Sequence, residues 1–350
     1  MNTQGNYYSI QALRAIAAWI VVFHHIGIDL FHNQREVPAF LFPFTAFGSI
    51  GVDIFFVVSG FVISFCVGNY KGKPLNFWMN RIIRIFPNYW FYTIVMSFLI
   101  LYLPSWVFHT TGISLENFLL SLILVPHENI GGYGNLPVLE VGWTLTFEMI
   151  FYTIFSVSLL FDKRLYTTIC VAALVLVMAL GKVFAMDKAL GGDIFLFFEF
   201  IFGIFIFKFI NTEFKYKRLI VPIVVGISLT TAITIFYFKG NSGLSKLVLS
   251  GPIVLALVSI EFVFRKFIRL SKCFKHFGDV SYSTYLCHMI WIGIFSYTYN
   301  IFSSSTIFIF SIIFSTYVSS VLSYNFIERG KFNNWIRGCF QKLQKNIYIN

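Results

Sequence analysis

The sequence predicts an all-α, polytopic membrane protein of about ten transmembrane helices. Three observations carry that reading: 57% of its 350 residues are apolar, 12% are charged, and 20% are aromatic, 45 of them Phe. Soluble domains hold roughly 45–50% apolar and about 25% charged residues, so a water-soluble globule is excluded on composition. Abundant aromatic rings fit helices that face acyl chains and place amphipathic side chains at headgroup level.

Apolar segments follow one another near 10–30, 47–68, 84–104, 141–161, 165–184, 193–211, 219–238, 245–264, 281–301 and 305–326. Each approaches the roughly 20 residues that a helical span needs. The first contains Arg14, His24 and His25 and lacks a short apolar core with a small-residue cleavage site, so it reads as a retained helix rather than a leader. The stretch 116–126 is apolar but too short to cross, and is expected to be re-entrant or interfacial within the loop around 105–140. The chain divides into a membrane domain, 1–328, and a short basic tail, 329–350, with no internal repeat.

The formal charge of +11 invites a nucleic-acid reading until its placement is considered. With the amino terminus in the cytoplasm, inside segments carry 21 of the 26 Lys and Arg, and outside segments only Arg35, Lys182, Lys188, Lys239 and Lys246. That asymmetry is the positive-inside pattern, and it places both termini in the cytoplasm. No nucleic-acid partner is expected. Cys66, Cys170, Cys273, Cys287 and Cys339 show neither a paired framework nor metal-ligand spacing, so free thiols and no metal are expected.

Titratable groups inside spans cost about 2.5–3.5 kcal/mol each, which makes them candidates for function. Arg14 and His25 stand 11 residues apart in the first segment. At about 100° and 1.5 Å per residue they share a face, about 16 Å apart. Asp53 and Glu148 each fall about 10 Å below the outer surface by helix rise, a level that His25 also reaches from the inner end. Glu199 is a weaker fourth member of the same level. Such a His/carboxylate set supplies a base with a partner to orient it, although each group alone reads equally well as a polar contact between helices.

Arg81 and Arg84, three apart, share a face at the inner end of the third segment and could grip phosphates with forked donors, or serve as topological anchors. His288 lies in the inner half of the ninth segment, where a cofactor contact and an interhelical contact are both open. His32, His109, His127 and His276 are expected in loops. His24 and Asp29 carry the His-x4-Asp spacing seen in soluble-face glycerolipid acyltransferases, but inside a span and without that family's further motifs. The glycines of 131–134 and 278–285 do not follow a strand–turn–helix pattern, so no nucleotide-binding loop is read.

The distributed motifs resemble one family. They are Ile10-Gln11-Ala12-Leu13-Arg14 with His25, Gly51-Val52-Asp53 leading into Phe55-Phe56-Val57-Val58-Ser59-Gly60-Phe61, Arg81-Ile82-Ile83-Arg84 with Pro87, Trp143-Thr144-Leu145-Thr146-Phe147-Glu148, and Gly278-Asp279-Val280-Ser281-Tyr282 through His288. In this order they are similar to the integral-membrane acyltransferases called acyltransferase 3, which O-acetylate bacterial surface polysaccharides and other acceptors. The resemblance implies an acyl-CoA-dependent O-acyltransferase of the bacterial inner membrane. Its donor would be acetyl-CoA, and its acceptor a polysaccharide such as lipopolysaccharide or capsule, or a lipid-linked glycan precursor. It implies Arg14, Arg81 and Arg84 on the CoA phosphates. His25, oriented by Glu148 or Asp53, either deprotonates the acceptor hydroxyl or first receives the acyl group. Two other classes stay open at this point: a transporter or flippase, which would favour paired repeats with broken helices, and a scaffold of a polysaccharide assembly complex. The acceptor sugar, the acyl group and the oligomeric state are open as well.

Overall fold

The computed structural model describes residues 7–70, 73–103, 107–108, 112–162, 165–213, 217–239, 243–299, 304–330 and 333–339. Among them every regular element is a helix, with one isolated bridge, Glu128 to Asn135, and no strand. The helices are α1 (Tyr8–His32), α2 (Phe42–Phe47), α3 (Ile50–Cys66), α4 (Pro74–Tyr102), α5 (Leu115–Leu122), α6 (Trp143–Ser158) and α7 (Tyr166–Val183). There follow α8 (Met186–Leu190), α9 (Phe197–Asn211), α10 (Lys217–Lys239), α11 (Gly243–Ser259), α12 (Glu261–Lys266), α13 (Ile268–Tyr297) and α14 (Ser305–Ser323), closed by a π-helical turn, Tyr324–Glu328.

Each of the ten apolar segments falls on a helix. Among the described residues six helices are long and apolar enough to cross a membrane, and a seventh span results if Ala39–Phe47 and Ile50–Cys66, bent by 52° at their junction, count as one. The apolar cores within α10 and α11, Ile220–Ile235 and Lys246–Ser259, are shorter. The segment 116–126 begins within α5, eight residues that end at Leu122 and are capped by Ser114, whose side chain accepts from Asn117 N at 3.1 Å. Two histidines expected in loops are helical instead: His32 ends α1, and His276 lies inside α13. Lys272, Lys275 and Asp279 had masked this first half of α13 from an apolar window, yet Lys275 and Asp279 pair at 2.5 Å across one helical turn. Lys71, Lys163, Arg164, Lys215, His109 and the end of the tail, 340–350, lie outside the described residues.

The chain forms two compact units. The first comprises Met1–Asn69, Thr167–Asp187 and Gly192–Ser281; the second comprises Tyr70–Tyr166, Lys188–Gly191 and Tyr282–Asn350. The first unit is assembled on α1, α3, α9 and α11. Its core takes Ile10, Leu13 and Ala17 from α1, Ile54, Val57, Val58 and Phe61 from α3, Ile206 from α9, and Val254, Leu255 and Val258 from α11. Residues three and four apart recur on the faces of α1, α3 and α11, as an apolar stripe on a helix requires. The closest approach is between α3 and α9. A Cβ placed on Gly60 would lie 2.1 Å from Phe200 O, and one on Gly203 would lie 2.0 Å from Val57 O. Small residues at such crossings let backbones touch where lipid tails remove most of the hydrophobic drive for association.

The start of α1 is capped from a distance in sequence. Glu261 accepts from Tyr8 N at 3.1 Å, Ser9 N at 2.9 Å and Ser9 Oγ at 2.7 Å, satisfying amide groups that a helix leaves unpaired at its first turn. Replacing Glu261 with Ala is expected to cost about 1 kcal/mol and to lower the thermal unfolding midpoint of the detergent-solubilised protein measurably. An unchanged midpoint would show that the cap contributes nothing.

The second unit is held by aromatic and amide contacts. Phe77 of α4 packs on Phe155 and Tyr152 of α6, with ring centroids 5.2 and 6.1 Å apart. Asn88 of α4 donates to Ser283 Oγ at 2.9 Å and to Glu328 Oε1 at 3.2 Å, and accepts from Ser323 Oγ at 2.5 Å. One amide therefore ties α4 to α13, α14 and the π-helical turn. Pro87 cannot donate to Ile83 O, and in the same stretch of α4 Ile85 O accepts from Tyr282 Oη at 2.9 Å.

Candidate functional site

The seven candidate residues divide between the units. Arg14, His25 and Asp53 belong to the first; Arg81, Arg84, Glu148 and His288 belong to the second.

In the first unit Arg14 and His25 share the unbroken helix α1. Arg14 Nη1 donates to Gln11 Oε1 at 3.3 Å. His25 Nδ1 lies 3.0 Å from Val21 O, one turn back along the helix. A carbonyl oxygen can only accept, so in the neutral ring Nδ1 carries the proton and Nε2 carries the basic lone pair. His24 makes the equivalent contact to Phe44 O, also at 3.0 Å, which ties α1 to α2.

Asp53 is buried on α3, and one of its charged neighbours is the group also read at its depth. Glu199 of α9 lies within electrostatic reach of it, as does Lys246 of α11. Lys246 Nζ also donates to Ser49 Oγ at 3.1 Å, and Ser250 Oγ donates to Glu199 Oε2. The shared depth read for Asp53 and Glu199 thus corresponds to a common cluster. Lys246 and Ser250 joined it unannounced, because a lysine near a helix end and a serine in an apolar run carry no distinguishing sequence signal. Asp29, of the His-x4-Asp spacing, pairs with Arg35 at 3.4 Å.

The second unit gathers Arg81, Arg84 and Glu148 around one residue that the sequence reading missed, Tyr152. Its hydroxyl donates to Glu148 Oε1, one turn back on α6, and all three charges lie within electrostatic reach of it. The guanidinium of Arg81 sits 5.4 Å from the Phe77 ring centroid and 5.8 Å from that of Tyr152, within cation–π range of both. Arg81 is only 7% exposed, and its Nε has no hydrogen-bond partner among the described residues. Tyr282 of α13 lies within electrostatic reach of Glu148, Arg84 and Glu328. His288 is fully buried, its ring 5.9 Å from that of Tyr285, and Tyr285 Oη bonds Val141 O and Thr144 Oγ1 at the start of α6. The signal that could have found Tyr152 is its spacing: it stands four residues from Glu148, on the same helical face.

A helical chain that crosses the membrane repeatedly and keeps imidazole, carboxylate and guanidinium groups inside its bundles is a membrane protein built around internal polar chemistry. It belongs to the acyltransferase 3 family, whose acyltransferase domain matches residues 7–324, and it is therefore a membrane acyltransferase. Among curated relatives it is 32% identical over 253 residues to the exopolysaccharide production protein ExoZ of Rhizobium meliloti, covering 71% of this chain and 77% of that protein. It is 29% identical over 151 residues to the acyltransferase MdmB of Streptomyces mycarofaciens, 42% of this chain and 38% of that one. It is 24% identical over 357 aligned positions to the O-acetyltransferase OatA of Staphylococcus aureus, 91% of this chain but 56% of that protein. The chain thus spans about half the length of OatA. No solved structure matches it.

Proposed function

We propose that the protein transfers an acyl group, acetyl in the simplest case, from cytoplasmic acyl-CoA to a hydroxyl of a surface polysaccharide or its lipid-linked precursor, at the bacterial inner membrane. The names of ExoZ and OatA, an exopolysaccharide production protein and an O-acetyltransferase, support the acceptor and the group transferred. The observation that carries the reading is Arg81. A guanidinium withdrawn from water, clasped by two rings and left with an unpartnered Nε, is costly without an anion to complete it. The phosphates of a CoA thioester, met by the forked donors of Arg81 and Arg84, supply that anion. Arg14 and His288 are assigned to the same donor, Arg14 through its charge at the cytoplasmic end of α1.

The chemistry falls to His25. Its Nε2 takes the proton of the acceptor hydroxyl as the oxygen attacks the thioester carbonyl, the carbon–sulfur bond breaks, and the imidazolium returns its proton to the departing thiolate. Transfer through an acyl-imidazole uses the same nitrogen. Glu148 and Asp53 are the acids assigned to balance the charge that develops. The distribution of Lys and Arg supports a cytoplasmic position for both termini. The reading invokes no metal.

Arg81→Ala and Arg84→Ala are each expected to weaken CoA binding by about tenfold or more, measured by calorimetry on the purified, detergent-solubilised protein. Wild-type CoA affinity in both variants would remove the donor assignment.

A further inference from the structure

Tyr152 belongs to no motif read from the sequence, yet the second unit is arranged around it. It is 3% exposed and presents two chemically distinct groups to two neighbours. Its hydroxyl donates to Glu148 Oε1, and its ring lies 5.8 Å from Arg81 Cζ. Phe77, at 6.1 Å and edge-on to Tyr152, completes the cradle of the guanidinium. Glu148 and Tyr152 stand one turn apart on α6, so the carboxylate and the ring that supports Arg81 are fixed by the same rigid helix.

From this geometry we infer that Tyr152 is a positioning residue with two separable tasks: its hydroxyl holds the Glu148 carboxylate, and its ring holds the Arg81 guanidinium. The inference rests on the donor and acid roles proposed above, and the two tasks fail differently. A hydrogen bond to an acid that acts during transfer affects turnover, because its worth is realised in the transition state. A ring that braces an anion-binding guanidinium affects ground-state binding of the donor. A residue that merely packed α6 against α4 would move neither parameter selectively.

The test uses the full chain, purified in detergent, with acetyl-CoA as donor and alkali-treated, de-O-acetylated surface polysaccharide of the source cell as acceptor. Tyr152→Phe, which keeps the ring, is expected to lower kcat by about 10- to 100-fold while donor KM and calorimetric CoA affinity stay within about twofold. Tyr152→Leu, which loses both groups, is expected to weaken CoA binding about tenfold in addition. Normal kcat in Tyr152→Phe alongside a crippled Glu148→Gln overturns the role of the hydroxyl and leaves the site reading standing. Unchanged CoA affinity in Tyr152→Leu alongside a weakened Arg81→Ala overturns the role of the ring. Full activity in both Glu148→Gln and Arg81→Ala overturns the underlying reading, and the inference with it.

Discussion

His25→Ala is expected to lower acyl transfer by about 10²- to 10⁴-fold, the range typical of a lost general base, while leaving membrane insertion and the elution profile in detergent unchanged. The bond from Nδ1 to Val21 O selects the tautomer and leaves the lone pair on Nε2, as the proposed role of general base requires. Alanine removes that lone pair and opens no large void, because His25 is half-buried. His24 provides the internal comparison. It makes the same kind of backbone bond, but to Phe44 O of α2, so His24→Ala is expected to loosen the α1–α2 junction and to spare turnover relative to His25→Ala. Wild-type rates in His25→Ala would remove the catalytic assignment.

Leucine at Gly60 is expected to prevent stable folding. Even a Cβ there would stand 2.1 Å from Phe200 O, and a backbone oxygen cannot retreat without moving the helix that carries it. Overpacking of a tight core costs roughly 1–3 kcal/mol or more, and here it falls at the closest crossing of the first unit. Gly203→Leu meets the mirror-image obstacle in Val57 O, at 2.0 Å. The same two helices bring Asp53 and Glu199 together, so any variant that survives should also disturb that carboxylate cluster. Gly68→Ala is the control, since nothing lies within 4 Å of its Cβ. Thermal unfolding of the purified variants should separate Gly60→Leu and Gly203→Leu from Gly68→Ala by many degrees. Equal midpoints would show that the α3–α9 contact is not needed.

Hydrophobic patterning located the long helices, because an apolar run of span length has few other uses, whereas the short helices α2 and α8 fall between its segments. It placed the ends less well where polar residues join a helix. Lys275 and Asp279 extend α13 toward its amino end, and Arg81 and Arg84 sit well inside α4, which begins at Pro74. Periodicity also aligned Arg14 with His25, since both lie on one helix and need only its pitch. What it could not supply was lateral neighbourhood. Equal depth for His25, Asp53 and Glu148 is a statement about height along three helices. Which helices pack together follows from side-chain fit, such as the glycine crossing of α3 and α9, and that fit gave Asp53 the company of Glu199 and Lys246. Tyr152 escaped notice for a related reason: in a chain with 18 Tyr, only contact distinguishes a ring that braces an arginine from one that faces lipid.

Whether this chain alone consumes an acyl-CoA thioester decides the proposal. It is tested most directly by incubating the purified protein with acetyl-CoA, isotopically labelled in the acetyl group, and de-O-acetylated surface polysaccharide, then measuring glycan-bound label and free CoA thiol together. Ester-linked label on the glycan and released thiol are expected in equal amounts, with both lost in His25→Ala. Label that never reaches the glycan, or thiol release that persists undiminished in His25→Ala, would contradict it.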